Sequence, residues 1–150
     1  SQQHGLNATY FDNSNFTGGS VTRTDPFIFF DWGLGSPDPS INRDSFSAVW
    51  TGNILAPVTG TYTFYARTDD GVRLFVNNQL IIDRFRVKGA SEIRGSIQLS
   101  AGELYPIRME YFENNWRALA QLSWGVSERI AKKTVTLIKK QPIPHENYYP

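Results

Sequence analysis

The chain has 150 residues, the size of one ordinary domain, and 40% of them are hydrophobic, which is typical of a globular protein. Its 15 basic and 14 acidic side chains give a formal net charge of +1, which excludes a strong overall attraction to nucleic acid or to an anionic membrane. It has no cysteine, which excludes disulfides, thiolate metal sites and cysteine nucleophiles, and no apolar run approaches the roughly 18 residues that a membrane span needs.

The first distinct feature along the chain is the polar segment 31–45, which reads DWGLGSPDPSINRDS. Glycine, proline, serine and aspartate recur through it, and these residues favour turns. The segment is long for a connection without secondary structure. It therefore predicts a long loop that either carries function or caps one end of the fold.

Apolar and polar residues alternate along four later segments, 60–68, 72–76, 105–112 and 118–124. A period of two is typical of a strand with one buried face, and no segment of ten or more residues shows a convincing helical period. The residues expected on the buried faces are Tyr62, Phe64, Ala66, Val72, Leu74, Val76, Tyr105, Ile107, Met109, Tyr111, Ala118, Ala120, Leu122 and Trp124.

Turn residues separate these strands. Asn77-Asn78 lies between VRLFV and QLIID and predicts a tight hairpin, because asparagine tolerates a positive φ. PVTG (57–60) and AGE (101–103) each precede a further strand, and the proline-rich tail 139–150 is expected to lie extended along the body. Many short strands at this spacing predict an all-β fold, an antiparallel sandwich or barrel-like structure with long loops at one end.

Several tryptophans and aspartates are interpreted as structural residues. Trp50 and Trp124 fall within strand patterns and are expected in the core, whereas Trp32 opens the long loop and can lie on either side. The scattered residues Asp12, Asp25, Asp31 and Asp44 are interpreted as turn or cap residues. The chain has no internal repeat and no linker, so residues 1–150 are expected to form a single domain excised from a larger protein.

The landmarks taken together resemble the anthrax protective-antigen N-terminal domain family, a β-sandwich module of toxins, adhesins and glycosidases. The matching stretches, in chain order, are LNATYFDNSNFTG, FDWGLGSPDP, FSAVWTGNILAPVTGTYTFYARTDDGVRLFVNNQLIID, IQLSAGELYPIRMEYFENN, ALAQLSWG and IPHENYYP. The resemblance spans nearly the whole chain, and the combination of motifs is more specific than any one of them. Since one fold serves many functions, it leaves the function open.

The pair Asp69-Asp70, followed by a glycine, has two interpretations. Aspartate and glycine favour a β-turn. Alternatively, calcium takes roughly 6–8 oxygen ligands, and two neighbouring carboxylates can reach one ion if the peptide bond between them is cis. The resemblance implies the second interpretation, because carbohydrate-binding members such as the yeast flocculin-type adhesins hold calcium with a cis Asp-Asp pair. The ion there coordinates two vicinal hydroxyls of a sugar.

The other half of such a metal site is expected in the loop ENNWRA, residues 113–118. Asn114 or Asn115 can supply an amide oxygen, and main-chain carbonyls near Trp116 and Ala118 can supply further ligands. The sequence does not decide between the two asparagines, and a simple hairpin turn is the alternative for this loop.

The same loop contains candidates for sugar contact. Trp116 can stack on the apolar face of a sugar, or it can pack onto the edge of the sandwich. Arg117 can donate to sugar hydroxyls or to a carboxylate substituent. The other predicted carbohydrate-binding residues are Asp69, Asp70, Glu113 and Asn115.

An enzyme is not expected. His4 and His145 are the only histidines and stand at opposite ends of the chain, and no HExxH motif is present. Side chains of adjacent residues in an ordinary strand point to opposite faces, so Asp69 and Asp70 would not flank a sugar as a glycosidase pair does.

The sequence therefore predicts a calcium-dependent, lectin-like module that binds a glycan or polysaccharide. It would belong to an extracellular or cell-surface protein with further domains, where it would serve adhesion or polysaccharide recognition. Neither nucleic-acid binding nor membrane insertion is expected. The alternative is a non-lectin structural or protein-docking module of a toxin, glycosidase or surface protein.

Overall fold

The structure is a computed structural model that describes residues 3–150. Twelve strands and one turn of 3-10 helix, His145–Asn147, form within that range, and none of its helices could span a membrane. The strands are β1 (Leu6–Phe11), β2 (Ser20–Asp25), β3 (Phe29–Gly33), β4 (Phe46–Leu55), β5 (Gly60–Asp69), β6 (Gly71–Val76), β7 (Gln79–Arg84), β8 (Ser91–Leu99), β9 (Leu104–Glu113), β10 (Ala118–Ile130), β11 (Lys133–Pro142) and β12 (Tyr148–Tyr149).

The strands form two antiparallel sheets that pack face to face. The seven-stranded sheet has the order β2-β1-β4-β9-β6-β7, and β12 pairs with β4. The five-stranded sheet has the order β11-β10-β5-β8, and β3 also pairs with β10. The predicted all-β antiparallel sandwich is confirmed.

The core lies between the sheets and contains the residues that the period of two assigned to it. In β5, the buried residues alternate with more exposed ones along the whole strand, in the pattern expected for one buried face. All the predicted inward-facing side chains are buried except Tyr105, which packs partly buried against the core. Trp50 and Trp124 are fully buried, as expected, and Trp32 packs against the core with its ring 4.9 Å from that of Phe30.

The turn predictions also match the structure. Asn77 and Asn78 have φ angles of 52° and 62° and close the hairpin between β6 and β7. The tail is extended at the end of β11 and again in β12, which pairs with β4, but His145–Asn147 between them form the turn of 3-10 helix, so it is not extended throughout. One interpretation needs correction: His4 and His145 are distant in sequence, yet their rings pack edge to face with centroids 5.4 Å apart.

The interpretation of Asp25 as a turn or cap residue is wrong. Asp25 ends β2 and is 3% exposed, so its carboxylate lies inside the protein. It accepts hydrogen bonds from the Tyr10 hydroxyl, from Trp50 Nε1 at 2.9 Å and from Arg23 Nε at 2.7 Å. Arg23 also donates to the carbonyl of Pro37 at 2.8 Å, which ties the long loop to this network.

We expect Asp25→Ala to lower the free energy of unfolding by about 2–4 kcal/mol, because it leaves buried donors of Tyr10 and Trp50 without an acceptor. Urea denaturation measures the change. The control is Asp83→Ala, since Asp83 is exposed on β7. Equal stability of the two variants would contradict a structural role for the Asp25 carboxylate.

Candidate metal centre

The candidate site is built where the chain passes from one sheet to the other. Asp69 is the last residue of β5 in the five-stranded sheet, and Gly71 is the first residue of β6 in the seven-stranded sheet. The segment therefore joins two sheets and not two strands of one hairpin. The peptide bond between Asp69 and Asp70 is cis.

Hydrogen bonds hold the carboxylate of Asp70 between two other segments. Asp70 is 3% exposed; its Oδ1 accepts from the backbone N–H of Lys88 at 2.9 Å, and its Oδ2 accepts from that of Asn114 at 2.8 Å. The carbonyl of Asp70 accepts from the Thr68 hydroxyl at 2.9 Å, and that of Asp69 accepts from the Tyr111 hydroxyl. The crossing is thus fixed to the β7–β8 connection and to the loop after β9.

Three carboxylates converge at this point. Asp69, Asp70 and Glu113 each offer one oxygen, and these oxygens lie within 4.8 Å of one another. Glu113 ends β9 in the seven-stranded sheet, so the cluster takes side chains from both layers of the sandwich. A cluster of this kind can hold a metal ion.

Glu113 is the most buried member of the cluster and the one with the most strongly raised pKa. It is fully buried, and neither of its carboxylate oxygens accepts a hydrogen bond from any of residues 3–150. Burial raises its pKa to about 9, assisted by the contact with the Asp70 carboxylate and by the charges of Asp70, Asp69 and Asp44. A buried carboxylate without donors is costly when ionised, and a bound cation removes that cost.

The pKa of Asp69 is also raised, but this residue lies on the solvent side of the cluster. Burial raises its pKa to about 6, assisted by the charge of Asp70 and a hydrogen bond with it, while the charge of Lys88 acts against the rise. Asp69 is the only partly exposed member of the three, so an ion bound here would be open to solvent on the Asp69 side.

The loop 113–118 is fastened to the end of the long loop before β4. The carbonyl of Asn114 accepts from the backbone N–H of Ser45 at 2.9 Å and from its hydroxyl at 3.2 Å. The N–H of Trp116 donates to Asp44 Oδ1 at 3.1 Å. The long loop predicted at 31–45 is shorter than expected, because residues 31–33 belong to β3, and its end supports the candidate site through Asp44 and Ser45.

Trp116 is 73% exposed and has a φ of 74°, so its ring does not pack onto the edge of the sandwich. It lines a shallow depression of about 320 Å³ with Asn115. The remaining wall is formed by Leu34, Arg43 and Asp44.

A second depression of about 270 Å³ contains Asp69 and Arg117. Its other lining residues are Asp31, Arg67, Ala90, Leu119 and Gln121. The loop 113–118 therefore presents Trp116 to one depression and Arg117 to the other. Of the predicted sugar-contacting residues, Asp70 and Glu113 are buried and line neither depression. Ala118 is buried at the start of β10, opposite Gly33 in β3.

Lys88 and Thr68, which hold the crossing in place, carry no sequence signal for that role, and Tyr111 was expected only in the core. Glu113 was predicted as a sugar contact, whereas the structure puts it with the two aspartates. A signal for this existed in the period of two. Glu113 continues the inward-facing series Ile107, Met109 and Tyr111, so a buried carboxylate could have been inferred at the end of β9.

The fold and the acidic cluster define a β-sandwich module with a candidate metal centre at one end. The chain belongs to the PA14 domain family, whose pattern matches residues 2–137. The resemblance to the protective-antigen type of domain is thereby confirmed. The chain is also 40% identical over 146 residues to the anti-sigma-I factor RsgI3 of Acetivibrio thermocellus, and the match covers 97% of this chain and 21% of that protein.

Solved structures agree with this assignment. An anti-sigma factor domain-containing protein from Clostridium clariflavum is 39% identical with a TM-score of 0.89, and the match covers 99% of this chain and 47% of that one. The PA14 sugar-binding domain from an RTX adhesin has a TM-score of 0.67 over 99% of both chains at 17% identity, which shows likeness of fold alone. The chain spans about a fifth of RsgI3 and about half of the C. clariflavum chain.

A pH dependence follows from the raised pKa of Glu113. In calcium-free protein, between about pH 4.5 and pH 9, the folded state keeps a proton on Glu113 that the unfolded chain has lost. The folded state binds more protons in this window, so the contribution of Glu113 to stability falls as the pH rises.

Thermal unfolding in chelator at several pH values tests this prediction. We expect the stability of wild type relative to Glu113→Gln to decline as the pH rises through the window, because the variant has no proton to lose there. The exposed residue Glu103 provides the control Glu103→Gln. Parallel pH profiles for wild type and Glu113→Gln would contradict the assignment.

Proposed function

We propose that the chain is a calcium-dependent carbohydrate-binding module of a longer extracellular or cell-surface protein. The observation that carries the proposal is the convergence of Asp69, Asp70 and Glu113, in which the buried Glu113 carboxylate has no hydrogen-bond donor among residues 3–150. The mutual repulsion of three such groups is relieved by a divalent cation in their midst.

Calcium suits the site better than other common cations. Every candidate ligand is an oxygen, and calcium accepts mixed carboxylate, amide and carbonyl oxygens in flexible geometry. In the proposed site Asp69, Asp70 and Glu113 supply carboxylates. The remaining proposed ligands come from the loop: an amide of Asn114 or Asn115 and main-chain carbonyls near Trp116 and Ala118.

The open side of the ion faces solvent at Asp69, which leaves coordination positions for two vicinal hydroxyls of a sugar. Trp116 offers an exposed aromatic face for stacking, and Arg117 offers donors on the other side of the same loop. A site so open is expected to bind calcium with the affinity of extracellular modules, about 10⁻⁴–10⁻³ M, which favours an extracellular location.

The relatives suggest two uses for such a module. One solved relative of the same fold is described as a sugar-binding domain from an adhesin, and RsgI3 is described as an anti-sigma factor. In a longer protein of the second kind, polysaccharide binding would be the input of a regulator. Single-site affinity is expected to be weak, so adhesion would depend on several modules acting together.

Calcium should stabilise the folded chain. At a calcium concentration ten times the Kd, mass action predicts about 1.4 kcal/mol, which raises the Tm of a domain of this size by about 3–6 °C. The protein is first stripped with a chelator, and Tm is followed as calcium is added. The absence of any shift would contradict the metal site and favour the structural or docking module instead.

Asp69→Asn is the variant that isolates the metal. Two backbone N–H groups donate to the Asp70 carboxylate, so changing Asp70 would also disturb the fold, whereas no backbone N–H of residues 3–150 donates to the Asp69 carboxylate. We expect Asp69→Asn to fold, to lose most of the calcium-induced shift in Tm, and to lose retention on polysaccharide. The control Asp83→Asn removes the same charge at an exposed position and should behave as wild type.

Trp116→Ala separates sugar contact from metal binding. Because the ring is 73% exposed, its removal should leave Tm and the calcium-induced shift unchanged. Retention of the variant on a bound polysaccharide should fall about two- to tenfold, given the value of aromatic stacking, about 0.5–1.5 kcal/mol beyond area burial. Binding equal to that of wild type would remove Trp116 from the sugar site.

A further inference from the structure

We propose, resting on the function above, that the carbohydrate recognised here carries carboxylates. The ligand class is a uronic-acid polysaccharide, and Arg67 and Arg117 bind its carboxylate in the depression beside Asp69. The depression joins a candidate metal ligand to two guanidinium groups in one continuous surface.

Strand register places these groups on one face. Arg67 and Asp69 are two residues apart on β5, so both point outward from the five-stranded sheet, about 6.6 Å apart along the strand. Their partners on β10 are Gln121 and Leu119, which form the floor between them. That spacing suits one sugar ring, with hydroxyls at the ion by Asp69 and the carboxylate directed to Arg67.

The two guanidinium groups are available for a ligand. Among residues 3–150, neither Arg67 nor Arg117 takes part in an ion pair, nor does either side chain donate a hydrogen bond. Three arginines of the seven-stranded sheet are engaged instead: Arg23 pairs with Asp25, and Arg73 and Arg108 pair with Glu110. An unpaired guanidinium is well suited to a carboxylate, which it binds through two parallel hydrogen bonds.

The charges around the depression favour an anion once the metal is bound. Asp69 would be neutralised by the ion, which leaves Asp31 as the remaining acidic group of the lining, against two arginines. Arg84 at the end of β7 and Arg86 and Lys88 in the β7–β8 connection lie nearby, and Lys88 interacts with Asp69 and Asp70. The acidic neighbour Glu92, which pairs with Arg67 across β5 and β8, is itself bound by Lys140.

The depression at Trp116 does not compete for this role. It contains a single arginine, Arg43, accompanied by Asp44, and none of the three clustered carboxylates lines it. A uronate held only there would lose direct coordination of its hydroxyls to the ion. The surface that combines metal and guanidinium groups is the one containing Arg67, Asp69 and Arg117.

The test compares each acidic sugar with its own neutral counterpart. Short oligosaccharides of galacturonate, glucuronate, mannuronate and guluronate, too short to gel with calcium, are titrated calorimetrically, with calcium and with chelator. Each is paired with the same oligosaccharide after its carboxylates have been reduced to alcohols. We expect at least one uronate to bind roughly tenfold tighter than its reduced counterpart when calcium is present, because charged hydrogen bonds are the stronger ones.

Variants assign the preference to residues. Arg67→Gln and Arg117→Gln should each remove most of the preference for the acidic form and leave the calcium-induced shift in Tm intact. The matched control is Arg129→Gln, which loses the same charge near the far end of β10. Equal binding of acidic and reduced sugars by wild type, or an unchanged preference in both variants, would overturn the proposal.

The outcomes separate this proposal from the function on which it rests. If neutral sugars bind with calcium and no uronate is preferred, the uronate assignment fails and the carbohydrate-binding function stands. If calcium causes no shift in Tm and no sugar binds, the proposed function itself fails. If a uronate binds equally well in chelator, the result would support the subsite of Arg67 and Arg117 and contradict the role of the metal.

Discussion

The candidate site depends on how one carboxylate, that of Asp70, is held. Its two oxygens accept backbone N–H groups from Lys88 and Asn114, so three separate segments of chain meet at one buried charge. Each Asp70 oxygen accepts one of these hydrogen bonds and keeps a lone pair that could bind an ion shared with Asp69 and Glu113. The loop that carries Trp116 and Arg117 is positioned by the same interaction. An ion at this point would therefore bind to groups that are already in place.

Most of the fold was predictable because its determinants are local. A strand with one buried face has apolar residues at every second position, so it can be recognised from the sequence. Asn77-Asn78 supplies the positive φ angles that a two-residue hairpin turn requires. Ala131 and Lys132 form a turn of the same kind with φ angles of 50° and 66°, but alanine and lysine are not residue types that predict such a turn. The division of β5 and β6 between two sheets was also not predictable, since periodicity says which face is buried but not against which partner.

The site was predictable in part for the same reason. Asp69, Asp70 and the loop 113–118 carry recognisable sequence, and the resemblance to a known family connected them. The burial of Asp25 and Glu113 was not predicted, because a buried carboxylate is identified by its surroundings, and these come from strands that are distant in sequence. For Asp25 those surroundings are donors, from Tyr10, Trp50 and Arg23, and for Glu113 they are two further carboxylates. This contrast is the reason that Asp25 is assigned a structural role and Glu113 a place in the proposed metal site.

The two sides of the loop 113–118 differ in what they can recognise. An aromatic face such as that of Trp116 gains from the apolar surface of almost any sugar and discriminates little among them. The guanidinium groups of Arg67 and Arg117 interact strongly only with an anion, and water solvates them well when the ligand is neutral. An ion held beside Asp69 lies on the arginine side, so coordination of a sugar would bring the ligand to the surface that discriminates by charge. In the proposed arrangement the metal would determine where a sugar binds, and Arg67 and Arg117 would determine which sugar is retained.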